Sequence, residues 1–176
     1  MTTGNAEFLD YLAVMAVLVV AVLAVAVLAV AVLAVHARVV FRPAVLAALS
    51  AWGAAHMAGG LLPVGDSVLD NLWLIPDRLK YDQLIHAYGF GLTTWVCWEA
   101  LRPQIADPQP RVGVLVLCAA AGSGFGALNE VTEFIAVLVL PETNVGGYMN
   151  TGWDLVANLV GATIAALLIR RFARAA

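Results

Sequence analysis

The sequence predicts an all-α fold, a polytopic membrane bundle of five transmembrane helices, and three observations carry that prediction. Of 176 residues, 62% are hydrophobic and only 12% are charged, which leaves too little polar surface to cover a water-soluble globule. Several apolar runs reach or approach the ~20 residues that cross a bilayer. Five such crossings would put seven of the nine basic residues on one side. The length suits a single membrane domain over residues 1–176. The net charge of −3 and the lack of any basic run exclude nucleic acid as a partner.

The first segment, residues 11–35, is almost pure Ala, Val and Leu, with "AVLAV" repeated three times from Ala21 to Val35. A five-residue period advances ~140° per repeat on a helix of 3.6 residues per turn, so the leucines scatter around the axis as they would on a lipid-exposed helix. A cleaved signal peptide is the alternative. It fits less well, because Glu7 and Asp10 precede the segment without any Lys or Arg, and the apolar stretch is long for a signal sequence. The second segment runs from Ala44 to about Leu62, the third from Asp82 to Leu101, the fourth from after Arg111 to near Leu140, and the fifth from about Trp153 to Ile169. Together, residues 44–169 form a four-helix core. Cys97 and Cys118 stand alone in apolar surroundings, without metal or redox spacing, and read as free thiols. Trp52, Trp73, Trp95, Trp98 and Trp153 read as packing or interface anchors.

Orientation follows from the basic residues. Arg38, Arg42, Arg102, Arg111, Arg170, Arg171 and Arg174 share one side of a five-span chain, and only Arg78 and Lys80 fall on the other. The seven mark the cytoplasm, which places the N-terminus outside and the C-terminus inside.

At ~1.5 Å per residue, depth can then be read along each helix. His56 lies in the outer half of the second helix, and Asp82 and His86 in the outermost turns of the third. Asn129, Glu130 and Glu133 come at the outer end of the fourth, and Asp154 and Asn158 at the outer start of the fifth. Helical spacing puts Asp82, His86, Gly89 and Thr93 on one face, Asp154, Asn158, Gly161 and Ala165 on another, and Gly122, Gly126, Glu130 and Glu133 on a third. Small residues let such faces approach closely in lipid. Ionisable groups cost ~2.5–3.5 kcal/mol each inside a membrane, so they are expected to meet one another or a wet cavity. His and carboxylate side chains brought together in a bundle suit a divalent metal, Zn, Fe or Mn. The metal-ligand candidates are His56, Asp82, His86, Glu133 and Asp154. The catalytic candidates are Asp82, His86, Glu130, Glu133 and Asp154, and Tyr81, Asn129 and Asn158 are further polar positions. The plainer alternative for Asp82 and His86 is a first-turn anion hydrogen-bonded to its i+4 neighbour.

At these residues the chain resembles a group of small bacterial membrane proteins. "HMAGG", "YDQLIHAYGFGL", "NEVTEF" and "GYMNTGWDLVANLVGA" follow the order and approximate spacing of the YjdF-type inner-membrane proteins, and the last three also resemble the VanZ-like superfamily. The resemblance covers roughly Ala51 to Ala166 and leaves out the first helix. It places His56, Tyr81, Asp82, His86, Glu130, Glu133, Asp154 and Asn158 on the family's polar positions. Gln83 stands where Lys is common, and the connection before Trp153 is shorter than the family's. The resemblance implies a multi-pass protein of the bacterial inner (plasma) membrane, with glycopeptide resistance associated with VanZ-like members.

Three functions compete. The first is an enzyme acting on a lipid or lipid-linked envelope substrate, through water activated by a divalent metal or proton transfer between His and Glu; no HExxH, GxSxG or phosphatase signature accompanies it. The second is a non-enzymatic envelope-binding, resistance or transport protein using the same polar cluster. The third is a packing role for the cluster. Whether residues 63–80 fold over the site is open at this level.

Overall fold

The computed structural model describes Phe8, Leu12, Val30, residues 32–139 and residues 146–173. The expected first helix therefore lies largely outside the described residues, although residues 32–39 are helical. Contacts divide the chain into two compact units, one of residues 1–40 and 131–145, the other of residues 41–130 and 146–176. In the first, the described side chains Val30, Leu33, Phe134, Ile135 and Leu138 are exposed apolar groups.

The second unit holds most of the polar residues. Its helices are α1, Pro43–Leu61; α2, Tyr81–Leu101; α3, Val112–Val139, which runs on into the other unit; and α4, Tyr148–Phe172. Pro43 opens α1 at a position where its missing N–H costs nothing. The Gln83 side chain accepts the backbone N–H of Lys80 at 3.0 Å and so caps α2. Among the described residues, three helices are long and apolar enough to cross a membrane: Pro43–Leu61, Val112–Leu138 and Tyr148–Phe172. In α2, Asp82, Gln83, His86, Thr93, Thr94 and Glu99 interrupt the apolar run.

Helices α2 and α4 form the central pair. They meet where Gly161 lies against the Ala87 carbonyl, so closely that a Cβ at 161 would overlap it. Helix α3 approaches through Gly122 and Gly126; a Cβ at Gly126 would stand 2.6 Å from Asn158 Nδ2. Helix α1 is tied to α2 by Tyr81 Oη donating to the Ala55 carbonyl (3.0 Å) and by Tyr88 Oη donating to that of Ala48 (3.3 Å). Away from the polar end, Trp98, Leu115, Cys118 and Ile169 form a buried apolar cluster. Both cysteines are free, Cys118 buried and Cys97 half-buried. Arg42 Nε donates to Glu99 Oε1 at 2.6 Å and its guanidinium lies 5.7 Å from the Trp95 ring centre, joining the start of α1 to the end of α2.

The connection between α1 and α2 amends the all-α expectation. It contains two small antiparallel hairpins, β1 (Pro63–Val64) with β2 (Ser67–Val68), and β3 (Trp73–Ile75) with β4 (Leu79–Lys80). Gly65 (φ +59°) and Asp77 (φ +56°) turn the two hairpins in the left-handed region, which Gly and Asp tolerate. The short helical turn Leu69–Asn71 between the hairpins packs on both α1 and α2.

Candidate functional site

His86 is the centre of the polar end. It sits on the buried face of α2, 1% exposed, because positions 83, 86, 90 and 94 recur at helical spacing toward α4 and α3. Its two ring nitrogens face different groups. Nδ1 is 3.2 Å from Glu130 Oε1 of α3 and 3.2 Å from Asn158 Oδ1 of α4. Nε2 is 3.4 Å from Asp82 Oδ1, one turn earlier on α2. Both neighbours of Nδ1 are oxygens, which suits a tautomer protonated at Nδ1. Nε2 is then the ring nitrogen that could coordinate a cation.

Helix α4 begins at Tyr148, five residues before the predicted start, and this correction changes the site. It adds Asn150 to the face of Asp154 at i, i+4. Asn150 Nδ2 donates to Asp82 Oδ2 at 3.0 Å and to Asp154 Oδ2 at 2.5 Å, bridging carboxylates of two helices. Lys80 Nζ donates to Asn150 Oδ1 at 3.2 Å, which fixes the amide with its NH₂ toward the carboxylates. Lys80 itself lies 5.4 Å from the Trp73 ring centre. The polar run "GGYMNTG" marks a helix start only weakly: Gly147, the N-cap, has no side chain to cap with, and Gly152 lowers helix propensity inside the first turns. The side-chain bridge made by Asn150 offsets that.

One ligand atom each from Asp82, His86 and Asp154 lies within 4.8 Å of the other two. Asp154 is fully buried, Asn158 is 1% and Glu130 3% exposed. Three carboxylates, the buried Asp154 and Glu130 and the half-buried Asp82, thus lie around one buried imidazole. Even a doubly protonated ring would leave them with excess negative charge, which a low-dielectric interior penalises by several kcal/mol per ion. Glu130 Oε2 is buried and has no hydrogen bond among the described residues. A divalent cation held by Nε2 and the two aspartates would answer this charge, with Glu130 fixing the ring through Nδ1 as an outer carboxylate fixes a metal-bound histidine.

The remaining expected residues take various places. His56, on α1, lies 6.2 Å from His86 and 6.1 Å from Trp52 between ring centres. Tyr81 donates its hydroxyl to the Ala55 carbonyl and so serves the packing of α1. Asn129 and Glu133 are half-buried on α3; by helical spacing Glu133 shares the face of Glu130, and it belongs to the other compact unit.

Two residues of this region escape the sequence reading. One is Asn150. The other is Asp70, in the turn between the hairpins, whose carboxylate rests against Gly59 at the end of α1. Burial, and then the nearby Asp82 carboxylate, push the Asp70 carboxyl up to about 6, with His86 opposing.

Apolar helices packed around a buried His/carboxylate cluster define an α-helical membrane protein with an internal polar site. The chain belongs to the DUF2238 family, described as a predicted membrane protein, whose model matches residues 8–175. The match takes in the first apolar segment, which the resemblance to YjdF-type proteins left out. No curated protein and no solved structure matches the chain.

Proposed function

We propose that this is a five-span protein of the bacterial inner membrane, N-terminus outside and C-terminus inside, that binds a divalent metal near its outer face. Asp82, His86 and Asp154 are the ligands in this reading, with Glu133 and His56 the next candidates and Glu130, Asn150 and Asn158 holding the ligands in place. The observation that carries it is the division of labour on His86: Nδ1 lies between oxygens of Glu130 and Asn158 and Nε2 faces Asp82, while one ligand atom each of Asp82, His86 and Asp154 lies within 4.8 Å of the other two. When bound, the metal would supply Lewis-acid chemistry at a membrane surface, suited to a lipid or lipid-linked envelope substrate. His56, beside His86 but without a ligand role in the three-residue set, is the group placed to move a proton. The YjdF-type and VanZ-like resemblance supports an envelope setting.

The test is metal content per chain after purification in detergent from metal-replete cells. About one equivalent in the wild type, lost in His86→Ala and Asp154→Asn, is expected. Less than about a tenth of an equivalent in the wild type would overturn the metal reading.

A second reading has its own support. The Nε2 to Asp82 Oδ1 separation of 3.4 Å also suits an imidazolium held between carboxylates. The cluster would then serve a non-enzymatic envelope-binding, resistance or transport protein. A metal-free wild type with a doubly protonated His86 by NMR favours it.

A further inference from the structure

We propose that the connection between α1 and α2 is part of the cation site, and that Asp70 is the carboxylate it contributes. This rests on the metal-binding role proposed for Asp82, His86 and Asp154 and adds a ligand group from outside the helices.

Four observations converge on Asp70. Its Oδ1 is buried and makes no hydrogen bond among the described residues, an unfavourable arrangement for a polar group and more so for a charge. The turn that carries it, Leu69–Asn71, packs on α2, whose first turns hold Asp82 and His86, and it lies near enough for both charges to act on its carboxyl. Its carboxylate occupies the space beside Gly59, where any Cβ would overlap Oδ1, so α1 is cut away at that residue to admit it. Finally, its position is built. The turn Leu69–Asn71 is held by Leu69 N–H to the Leu62 carbonyl (2.9 Å) and Leu72 N–H to the Leu69 carbonyl (2.9 Å), and by Asn71 Nδ2 donating to Ser67 Oγ (3.0 Å). Tyr81 N–H to the Leu72 carbonyl (2.9 Å) fastens the second hairpin to the start of α2.

A buried, unsatisfied carboxylate brought toward other carboxylates is unfavourable unless something positive lies between them. His86 can supply at most one charge for four carboxylates. A divalent cation held by Asp82, His86 and Asp154 has coordination positions to spare, since three protein ligands do not complete even a tetrahedral shell. A carboxylate arriving from the connection takes such a position directly or through a water. The hairpins would thereby close over the site when the ion is present, and Lys80, at the end of β4, would pull the same segment onto Asn150.

Titration of the full-length apo protein in detergent with Mn²⁺, followed by electron paramagnetic resonance, and with Zn²⁺, followed by calorimetry, tests this. Asp70→Asn and Gly59→Ala should each weaken binding of the tighter metal by tenfold or more. Gly60→Ala should leave it within twofold, because a Cβ there stands at an ordinary 3.8 Å from Asp70 Oδ2. Size-exclusion profiles matching the wild type exclude misfolding as the cause. If Asp70→Asn and Gly59→Ala bind as the wild type does while His86→Ala and Asp154→Asn do not bind, the connection is no part of the site and the helix site stands. If the wild type binds neither metal, the metal reading falls and the ligand role of Asp70 falls with it.

Discussion

The two ends of the α2/α4 pair are built on opposite principles. At the Leu101 end, Trp98, Leu115, Cys118 and Ile169 fill the interior with shape alone. At the Tyr81 end, the interior sets His86, Asp154, Asn158, Glu130 and Gln83 beside the apolar Ile85 and Phe90, and the polar groups are held by charge and hydrogen bonds. Lipid tails are as apolar as leucine, so an apolar interface in a membrane gains nothing from leaving water and must rely on fit. A polar interface gains the avoidance of unsatisfied groups in hydrocarbon, which fixes rotation as well as proximity. The outward faces of these helices carry scattered apolar side chains such as Leu155, Leu159, Ile164 and Leu167, all exposed. They do not say which way a helix should turn; the polar end does.

Between the ends lies Gly161, and altering it gives the largest expected effect. Gly161→Val should abolish the folded protein, because the side chain would occupy the Ala87 carbonyl and part α2 from α4 at both ends. Gly124→Ala, at a glycine with nothing within 4 Å, should match or slightly exceed wild-type stability through helix propensity. Yield and monodispersity in detergent read the outcome. Wild-type behaviour of Gly161→Val would mean that the two ends do not depend on this contact.

The next comparison sets one end against the other. Ile169→Ala should cost about 2–5 kcal/mol through a cavity and leave metal affinity within about twofold. His86→Ala should remove metal binding, and should itself cost about 3–5 kcal/mol, since the buried Asp154 and Glu130 and the half-buried Asp82 lose their one close imidazole. Denaturant titration in detergent and metal content measure both properties on both variants. If Ile169→Ala also loses the metal, the ends are coupled and the division between them is wrong.

The same division explains what could be read in the sequence. The apolar segments located α1 to α4 within a few residues, except for the start of α4, because length and hydropathy act locally. The buried stripes of Asp82 with His86, and of Asp154, Asn158, Gly161 and Ala165, were legible because a polar residue in lipid has one favourable direction, toward other polar groups. Glycines at 122 and 126 marked the face of Glu130 in the same way. Asn150 and Asp70 were not legible, because each acquires its role only across the fold. Asn150 lies in a glycine-rich run that is made helical by a bridge between two helices, and Asp70 lies in a connection whose two- and three-residue strands are too short to show a period.

Asp70 yields the smallest effect and the sharpest sign. Its carboxyl is raised from an ordinary 3.8 to about 6, chiefly by burial and then by Asp82. With chelator present, the folded state therefore holds a proton on Asp70 that the unfolded chain has released. Linkage then makes the fold lose stability as pH rises from near 3.8 through about 6, with no further change from this group above that. Asp70→Asn cannot ionise and escapes the loss, so the melting temperature of the variant minus that of the wild type should grow across this window and level off above it. Titrating groups that do not interact with Asp70 cancel in the difference. A difference that does not vary with pH would mean that Asp70 is solvated in the folded apo protein, and the connection would then lie open over the helices instead of being seated on Gly59. Adding saturating Mn²⁺ should reverse the sign above pH 6, the wild type becoming the more stable of the two, because only its carboxylate gains from the ion.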